Sequence, residues 1–307
     1  MPASQRCMMR PGLLHPSRII TAASTGAVAG RVRRWVVRRL YNHLARTYPL
    51  REWTTMNYGY AVLPGEAPLA AAAPADAAER NGLQLYARVA VSGRRGAALG
   101  GLDVLEVGSG RGGGAAFVAA AMGPRRMTGL DVADASATLA SIRYGGSPNL
   151  AFIEGDAENL ALADASFDIV LNIESAHCYA SVPRFLAEAA RVLRPGGELL
   201  FAGFASRRSG AYERLVAALE GRPLALDRLD DITANIVASL RLDEARKREL
   251  IERAVSTPLR SFATGAYAME GTAMRRALEA GETAYVAAVL SKPDALDCGS
   301  SRISNSV

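Results

Sequence analysis

Glu106 stands two residues ahead of a glycine run, in Asp103-Val-Leu-Glu-Val-Gly108-Ser109-Gly110-Arg-Gly112-Gly-Gly. An apolar stretch with one acid, broken by glycines, reads as a strand passing into a helix. Glycine lets the backbone close tightly on a ligand. Gly108, Gly110 and Gly113 also satisfy G-x-G-x-x-G, a dinucleotide fingerprint that is weak when it stands alone. The acid shifts the reading: at Glu106 it would repel a pyrophosphate and attract an α-amino group. Asp131, followed by Val132, ends the next apolar stretch, where a carboxylate can accept both hydroxyls of a ribose. Asp156, in Gly155-Asp-Ala157, follows the third, where it can accept an adenine amino group or simply cap a helix. An amino-acid end, a ribose and an adenine in sequence point to S-adenosylmethionine. Ser109, Gly112, Ala157 and Asn172 complete the expected cofactor contacts.

The fourth apolar stretch leads into Asn172-Ile-Glu174-Ser-Ala-His177-Cys-Tyr179. Of the three histidines, His15, His43 and His177, only His177 falls at the end of a strand facing this cofactor. A hydroxyl is a poor nucleophile while protonated, and a neutral imidazole can take its proton as oxygen attacks a sulfonium methyl. His177 is therefore the candidate base, against the plainer reading of a packed histidine. Glu174 ranks second, to orient His177, touch substrate or close the strand. Cys178 reads as buried filler, since methyl transfer needs no covalent intermediate. No Asp/Asn-Pro-Pro-Tyr run follows the fourth strand, which argues against base or glutamine N-methylation.

The elements that position these groups alternate. Strands are expected at 103–107, 126–131, 150–154, 167–172 and 197–204, with helices at 113–122, 135–144 and 182–193. Repeated β–α units imply a parallel sheet covered on both faces, with its ligand site outside the carboxyl ends of the strands. Residues 209–257 read as three helices that interrupt the sheet and can cover a pocket. A helix at 272–280 and a strand at 283–291 close the fold. Ahead of the core, 31–48 has apolar residues at three- and four-residue spacings (Val32, Trp35, Val36, Leu40, Tyr41, Leu44) among arginines, the pattern of an amphipathic helix. Such a helix packs on its own domain or lies on an anionic membrane. A helix is expected over 77–91. The expected segments are a disordered basic tail (1–30), a helical cap (31–96), a cofactor-binding core (97–208), a helical lid insertion (209–257), completion of the core (258–292) and a disordered tail (293–307).

From about Leu102 to Phe204 the chain strongly resembles the class I S-adenosylmethionine-dependent methyltransferases, through Val104-Leu-Glu-Val-Gly-Ser-Gly, Leu130-Asp131, Gly155-Asp-Ala-Glu, Ser166-Phe-Asp-Ile-Val and Arg191-Val-Leu-Arg-Pro-Gly-Gly-Glu. Within them it is similar to the phthiotriol/phenolphthiocerol dimycocerosate type and related lipid and polyketide O-methyltransferases. That likeness rests on Met56-Asn-Tyr-Gly-Tyr60, Gly112-Gly-Gly, Asp156-Ala-Glu-Asn-Leu, Glu174-Ser-Ala-His-Cys-Tyr and Arg184-Phe-Leu-Ala-Glu. The resemblance implies an α/β, three-layer, doubly wound and mostly parallel seven-stranded sheet, Rossmann-like, with an N-terminal helical segment and a helical lid. It implies that Tyr60 closes the pocket over the methionine end of the cofactor, while packing in the core is the even alternative. It implies a hydroxyl acceptor on a hydrophobic polyketide- or lipid-like molecule of secondary metabolism. Carboxylate methylation, carbon methylation of an isoprenoid or sterol-like alkene, and, in another class, a nicotinamide-dependent oxidoreductase stay open.

Bulk properties bound these readings. At 307 residues and 50% hydrophobic, the chain can bury one large α/β core with additions. The net charge of +6 is concentrated: residues 1–51 hold ten Arg and no acid, leaving 26 basic against 30 acidic residues elsewhere. A nucleic-acid binder more often carries such charge on its folded face, so no nucleic-acid partner is expected. Cys7, Cys178 and Cys298 are too scattered for a metal or disulfide framework, which fits a cytoplasmic protein. No apolar run is long enough to span a bilayer.

Overall fold

The computed structural model describes residues 27–75 and 77–294. Helices α1 (Ala27–Thr47) and α2 (Arg80–Ala90) precede an alternating core. Its elements are β1 (Asp103–Val107), α3 (Gly113–Met122), β2 (Arg126–Asp131), α4 (Asp134–Tyr144), β3 (Leu150–Glu154) and β4 (Phe167–Ile173), then α5 (Val182–Val192) and β5 (Leu193–Ser206). A one-turn 3₁₀ helix, Ala176–Cys178, follows β4. The chain continues through α6 (Ala211–Glu220), β6 (Ala225–Asp231), α7 (Thr233–Leu242), α8 (Glu244–Ala254), α9 (Thr257–Ala266), α10 (Ala273–Glu279) and β7 (Thr283–Ser291).

The strands form one seven-stranded sheet in the order β3-β2-β1-β4-β5-β7-β6. Only β7 runs against its neighbours, pairing antiparallel with β5 and β6. β1 is buried at all five positions, as a central strand covered on both faces must be. Two apolar clusters sandwich the sheet. One joins Leu85, Val104 and Ile169 to Tyr285, and the other joins Leu105, Val170 and Phe185 to Leu199. The expected α/β architecture is the observed one.

Three details differ from the sequence reading. Residues 209–257 are not a purely helical insertion, because β6 lies among them as an edge strand. Its Ala-Leu-Asp-Arg-Leu-Asp-Asp carries no apolar run and is mostly exposed or half-buried. α6 packs Leu215 and Leu219 into the sheet's own core rather than over a pocket. The covering segment is therefore α8 with α9, past the expected boundary at 257. The apolar stripe of α1 is also rotated. Val37 and Ala45 are buried, while Val32 and Trp35 stand 47% and 60% exposed. The tail expected over 1–30 falls outside the described residues up to 26, and α1 begins at Ala27.

Arg194, from the Arg-Pro-Gly-Gly motif, serves the amino end of the sheet. It bridges Asp103 at 2.9 Å and Asp168 at 2.7 Å. The hydrogen bonds of Arg125 to Asp103, with the weaker effect of Arg194, hold its carboxyl down at about 2 against burial.

Candidate active site

Two adjoining cavities open at the carboxyl edge of the sheet. The first holds about 850 Å³ of empty space, its mouth included, and is lined by Gly108–Gly110, Leu130–Val132, Gly155–Glu158, Tyr86 and residues of α1. The second, of about 1400 Å³, is enclosed by α1, α8, α9, Trp53, Phe204 and His177. Tyr41, Met56, Asn57 and Glu174 line both and mark their junction.

The first cavity is shaped by the glycine turn. Gly108 has φ +83°, and a Cβ there would lie 2.4 Å from the Ser175 Cβ, so the turn requires glycine twice over. Its N–H and that of Ser109 both donate to the Leu130 carbonyl, tying the turn to the end of β2. Asp131 accepts from the Gly110 N–H at 2.8 Å and the Ala133 N–H at 2.9 Å. Burial raises the Asp131 carboxyl above its ordinary value, and these two donors oppose the rise.

Asp156 closes the opposite wall. Its Oδ1 accepts from the Glu158 N–H at 2.9 Å, and its Oδ2 pairs with Arg34 of α1 at 2.9 Å. Thus α1 roofs the cavity through ion pairs. Arg38 reaches Glu154 at 2.7 Å, and Arg46 reaches Asp134 at 3.0 Å. Much of the arginine that could have met a membrane is spent on the core.

Ser109, Gly108, Gly110, Asp131, Val132, Asp156 and Ala157 meet around this cavity as expected. Four others do not line it. Gly112 makes room for packing: a Cβ would lie 2.6 Å from Ala140 Cβ and 2.7 Å from the Phe152 ring. Asn172 is fully buried behind the wall, donating to the Val107 carbonyl, Ser175 and Tyr179. Tyr60 is a core residue whose hydroxyl donates to Glu66, which supports the packing alternative. Tyr58, two residues earlier, lines the second cavity instead. Glu106 lies one layer deeper than expected. Tyr86 donates to its Oε1 at 2.6 Å and itself faces the cavity, while Oε2 has no partner among the described residues.

Burial drives the Glu106 carboxyl up to about 8, against the Tyr86 hydrogen bond that lowers it and with nearby Asp131 adding to the rise. The role of Tyr86 could not be read from its helix, where it fits the apolar stripe. The signal was the third glycine of the run: a Cβ on Gly114 would lie 1.8 Å from the Tyr86 ring.

The second cavity carries the candidate base. His177 half-stacks on Phe204, with ring centres 4.8 Å apart and planes at 28°. Arg33 of α1 donates to the His177 carbonyl, anchoring its turn. Burial lowers the imidazole below its ordinary value, against the pull of Glu174. A neutral ring near pH 7 follows, as a base requires. Glu174 has φ +51°, a conformation that costs a non-glycine residue roughly 1–3 kcal/mol. Its Oε2 accepts from the Tyr58 N–H at 2.9 Å and the Tyr285 hydroxyl at 2.8 Å. These donors lower the carboxyl less than burial raises it, leaving it at about 7. Cys178 is buried and free, with its thiol pushed up to about 11 by burial, in keeping with packing rather than nucleophilic work.

The residues present fit S-adenosylmethionine. Behind the glycine turn Glu106 holds a buried carboxyl oxygen with no partner among the described residues, Asp131 ends β2 at the cavity, and Gly110 lines it at φ +52°, a conformation that strains any side chain. Among the described residues no group of acids, histidines and cysteines could hold a metal ion.

Residues 105–201 match the family described as a methyltransferase domain. The chain is 38% identical over 223 residues to the phthiotriol/phenolphthiotriol dimycocerosates methyltransferase of Mycobacterium tuberculosis, covering 72% of this chain and 78% of that one. It is 38% identical over 167 residues to the fatty-acid O-methyltransferase of Mycolicibacterium smegmatis, covering 53% and 57%. Among solved structures, the [4+2]-cyclase SpnF superposes with a TM-score of 0.61 at 22% identity, covering 84% of this chain and 95% of that one. The geranyl diphosphate C-methyltransferase of Streptomyces coelicolor gives 0.60 at 15% identity, covering 85% and 97%. Likeness at those identities speaks for the fold alone.

Proposed function

The chain belongs to the S-adenosylmethionine-dependent methyltransferases that include the phthiotriol/phenolphthiotriol dimycocerosates enzymes, and from that premise we propose that it methylates a hydroxyl oxygen on a hydrophobic polyketide- or lipid-like acceptor. The observation that carries this reading is the second cavity, predominantly apolar, lined by the neutral imidazole of His177 and by Glu174 at its junction with the first, with His43 of α1 also in its wall.

The bound cofactor supplies an electrophilic methyl on a sulfonium. The rest is done by this chain. Asp131 and Asp156 are the proposed holders of the ribose and adenine, Asp156 exchanging Arg34 for the ligand, and Glu106 with Tyr86 is the proposed seat of the ammonium end. Tyr41 of α1 and Met56 cover the junction and exclude water, and Val37 extends that cover over the first cavity. The acceptor chain lies among Leu250, Ile251, Leu259 and Phe262, and its hydroxyl is presented where Glu174 meets both cavities. His177 takes the hydroxyl proton as oxygen attacks in line. Most of the acceleration comes from position and a dry pocket. The cheapest decisive experiment is methyl transfer from labelled cofactor to a long-chain alcohol and a fatty acid of the same length, offered together. Label in a base-stable ether supports the reading, and label confined to a base-labile ester overturns it.

The raised Glu106 carboxyl gives cofactor binding a pH dependence. An ammonium favours the ionised acid, so affinity should fall about tenfold per unit as pH drops well below 8, with proton release on binding. In the free protein the sign is opposite. A carboxyl raised in the fold contributes stability that is present at low pH and lost as pH climbs from its unfolded value toward about 8. Glu106→Gln should therefore raise the melting temperature of the cofactor-free protein at pH 8 while weakening cofactor binding. Calorimetry and thermal melts check both, and a variant that melts lower and binds as before would contradict the assignment.

We also place peripheral membrane contact on the outer face of α1. Val32 and Trp35 project there, Arg39 lies over the Trp35 ring at 5.1 Å, and Arg31 and Arg39 make no ion pair among the described residues. Trp35→Ser should reduce sedimentation with phosphatidylserine vesicles several-fold, and sedimentation equal to the parent's would remove this contact.

A further inference from the structure

A group of donors without acceptors lies at one wall of the second cavity, apart from the residues it shares with the first. Trp53 and Tyr267 line that wall, with ring centres 5.9 Å apart. Neither the Trp53 indole N–H nor the Tyr267 hydroxyl has a hydrogen-bond partner among the described residues. Behind them sit two almost wholly buried cations, Arg111 at 1% and Lys247 at 3% exposure. The Arg111 guanidinium lies 3.7 Å from the centre of the Trp53 ring, and Lys247 Nζ lies 5.5 Å from that of Tyr267.

Arg111 donates once, to the Leu44 carbonyl at 3.1 Å, leaving Nε and Nη1 open. Lys247 Nζ donates to nothing, and its ion partner, Asp243, is 3.8 Å away. Asp243 is already engaged by Arg246 at 3.0 Å and by Asn81 at 3.1 Å. Glu79 Oε2 is engaged by the Thr54 N–H and hydroxyl and the Thr55 N–H, while its Oε1 faces Arg246 at 3.8 Å. Arg111, Arg246 and Lys247 face Glu79, Asp243 and Glu174, and Arg143, which donates to the Leu50 and Trp53 carbonyls, adds a fourth cation. Buried donors with a surplus of positive charge call for acceptor atoms.

We propose that this wall is an anion-receiving subsite, and that the natural acceptor carries a carboxylate head in addition to the apolar chain and the hydroxyl that is methylated. The proposal rests on the second cavity being the acceptor site. The carboxylate enters between Trp53 and Tyr267, accepts from their N–H and O–H, and neutralises Lys247 and Arg111. The chain then runs along α8 and α9 toward Glu174.

The chain has two tryptophans, so Trp35→Phe leaves Trp53 as the sole indole reporter at the wall itself. Fluorescence titration of that protein, with S-adenosylhomocysteine present to hold off chemistry, compares dodecanoate with dodecan-1-ol, which share one apolar chain. Dodecanoate should bind at least about tenfold more tightly, the scale of one charge-assisted hydrogen bond. Lys247→Met should erase that preference while leaving dodecan-1-ol binding as it was. Tyr267→Phe, which removes only a hydroxyl, should reduce the preference severalfold and serves if the lysine variant does not fold. Equal binding of the two ligands by the parent, or a preference that survives both substitutions, overturns the subsite. Failure of label transfer to any alcohol would instead sink the hydroxyl reading and leave the anion preference standing.

Discussion

His177→Ala is expected to bind S-adenosylmethionine with parental affinity and to transfer methyl 10²–10⁴-fold more slowly, the ordinary worth of a positioned general base. The two effects separate because His177 lines the acceptor cavity and not the cofactor cavity. The pH profile sharpens the test. A base works when deprotonated, so turnover in the parent should rise with pH through the imidazole's titration. Burial places that limb below the usual histidine value. Glu174, at about 7, adds a second rise on the same side. In His177→Ala the first limb should vanish and the second remain. A variant that turns over at the parental rate on the same alcohol would mean that the stacked ring on Phe204 only packs.

Asp131→Ala should weaken cofactor binding about a hundredfold, roughly 3 kcal/mol for two hydrogen bonds to a charged acceptor. The carboxylate also orders the glycine turn through Gly110 and Ala133. Asp131→Asn, which keeps an acceptor for one of those N–H groups, should lose less. The two substitutions compared by calorimetry divide the ribose contribution from the turn's. The cofactor-free melting temperature should fall in Asp131→Ala, which leaves the Gly110 and Ala133 N–H groups without an acceptor, and less in Asp131→Asn. Undiminished affinity in Asp131→Ala would remove this residue from the site.

The strands carrying the site were legible because each is a short apolar run ended by a glycine or an acid. β1, β2, β3 and β7 begin and end where the sequence predicts. β6 was not, since an exposed edge strand needs no apolar run and Asp-Arg-Leu-Asp-Asp reads as a polar helix surface. The acids at strand ends could be placed because a parallel sheet delivers its strand ends to one edge. Arg34, Tyr41 and Tyr86 could not, because they arrive from helices far away in sequence, and their spacing records only which face of a helix is covered. Tyr60 failed for a local reason. Gly59 between Tyr58 and Tyr60 has a positive φ, so strand alternation does not fix their sides, and the packing of Glu66 and Asn235 around Tyr60 holds it in the core. Asn172 failed because an amide at the end of a buried strand satisfies its neighbours before any ligand, here Ser175 and Tyr179.

In the proposed reaction the apolar cavity beside the cofactor presents a hydroxyl to be methylated. Methyl-labelled S-adenosylmethionine incubated with the protein and an extract of the cells that make it, followed by mass spectrometry before and after alkaline hydrolysis, tests that reaction most directly. Label is expected in an apolar, acid-bearing product whose new methyl survives alkali as an ether. Label released by alkali as methanol, or carried on carbon, would contradict it.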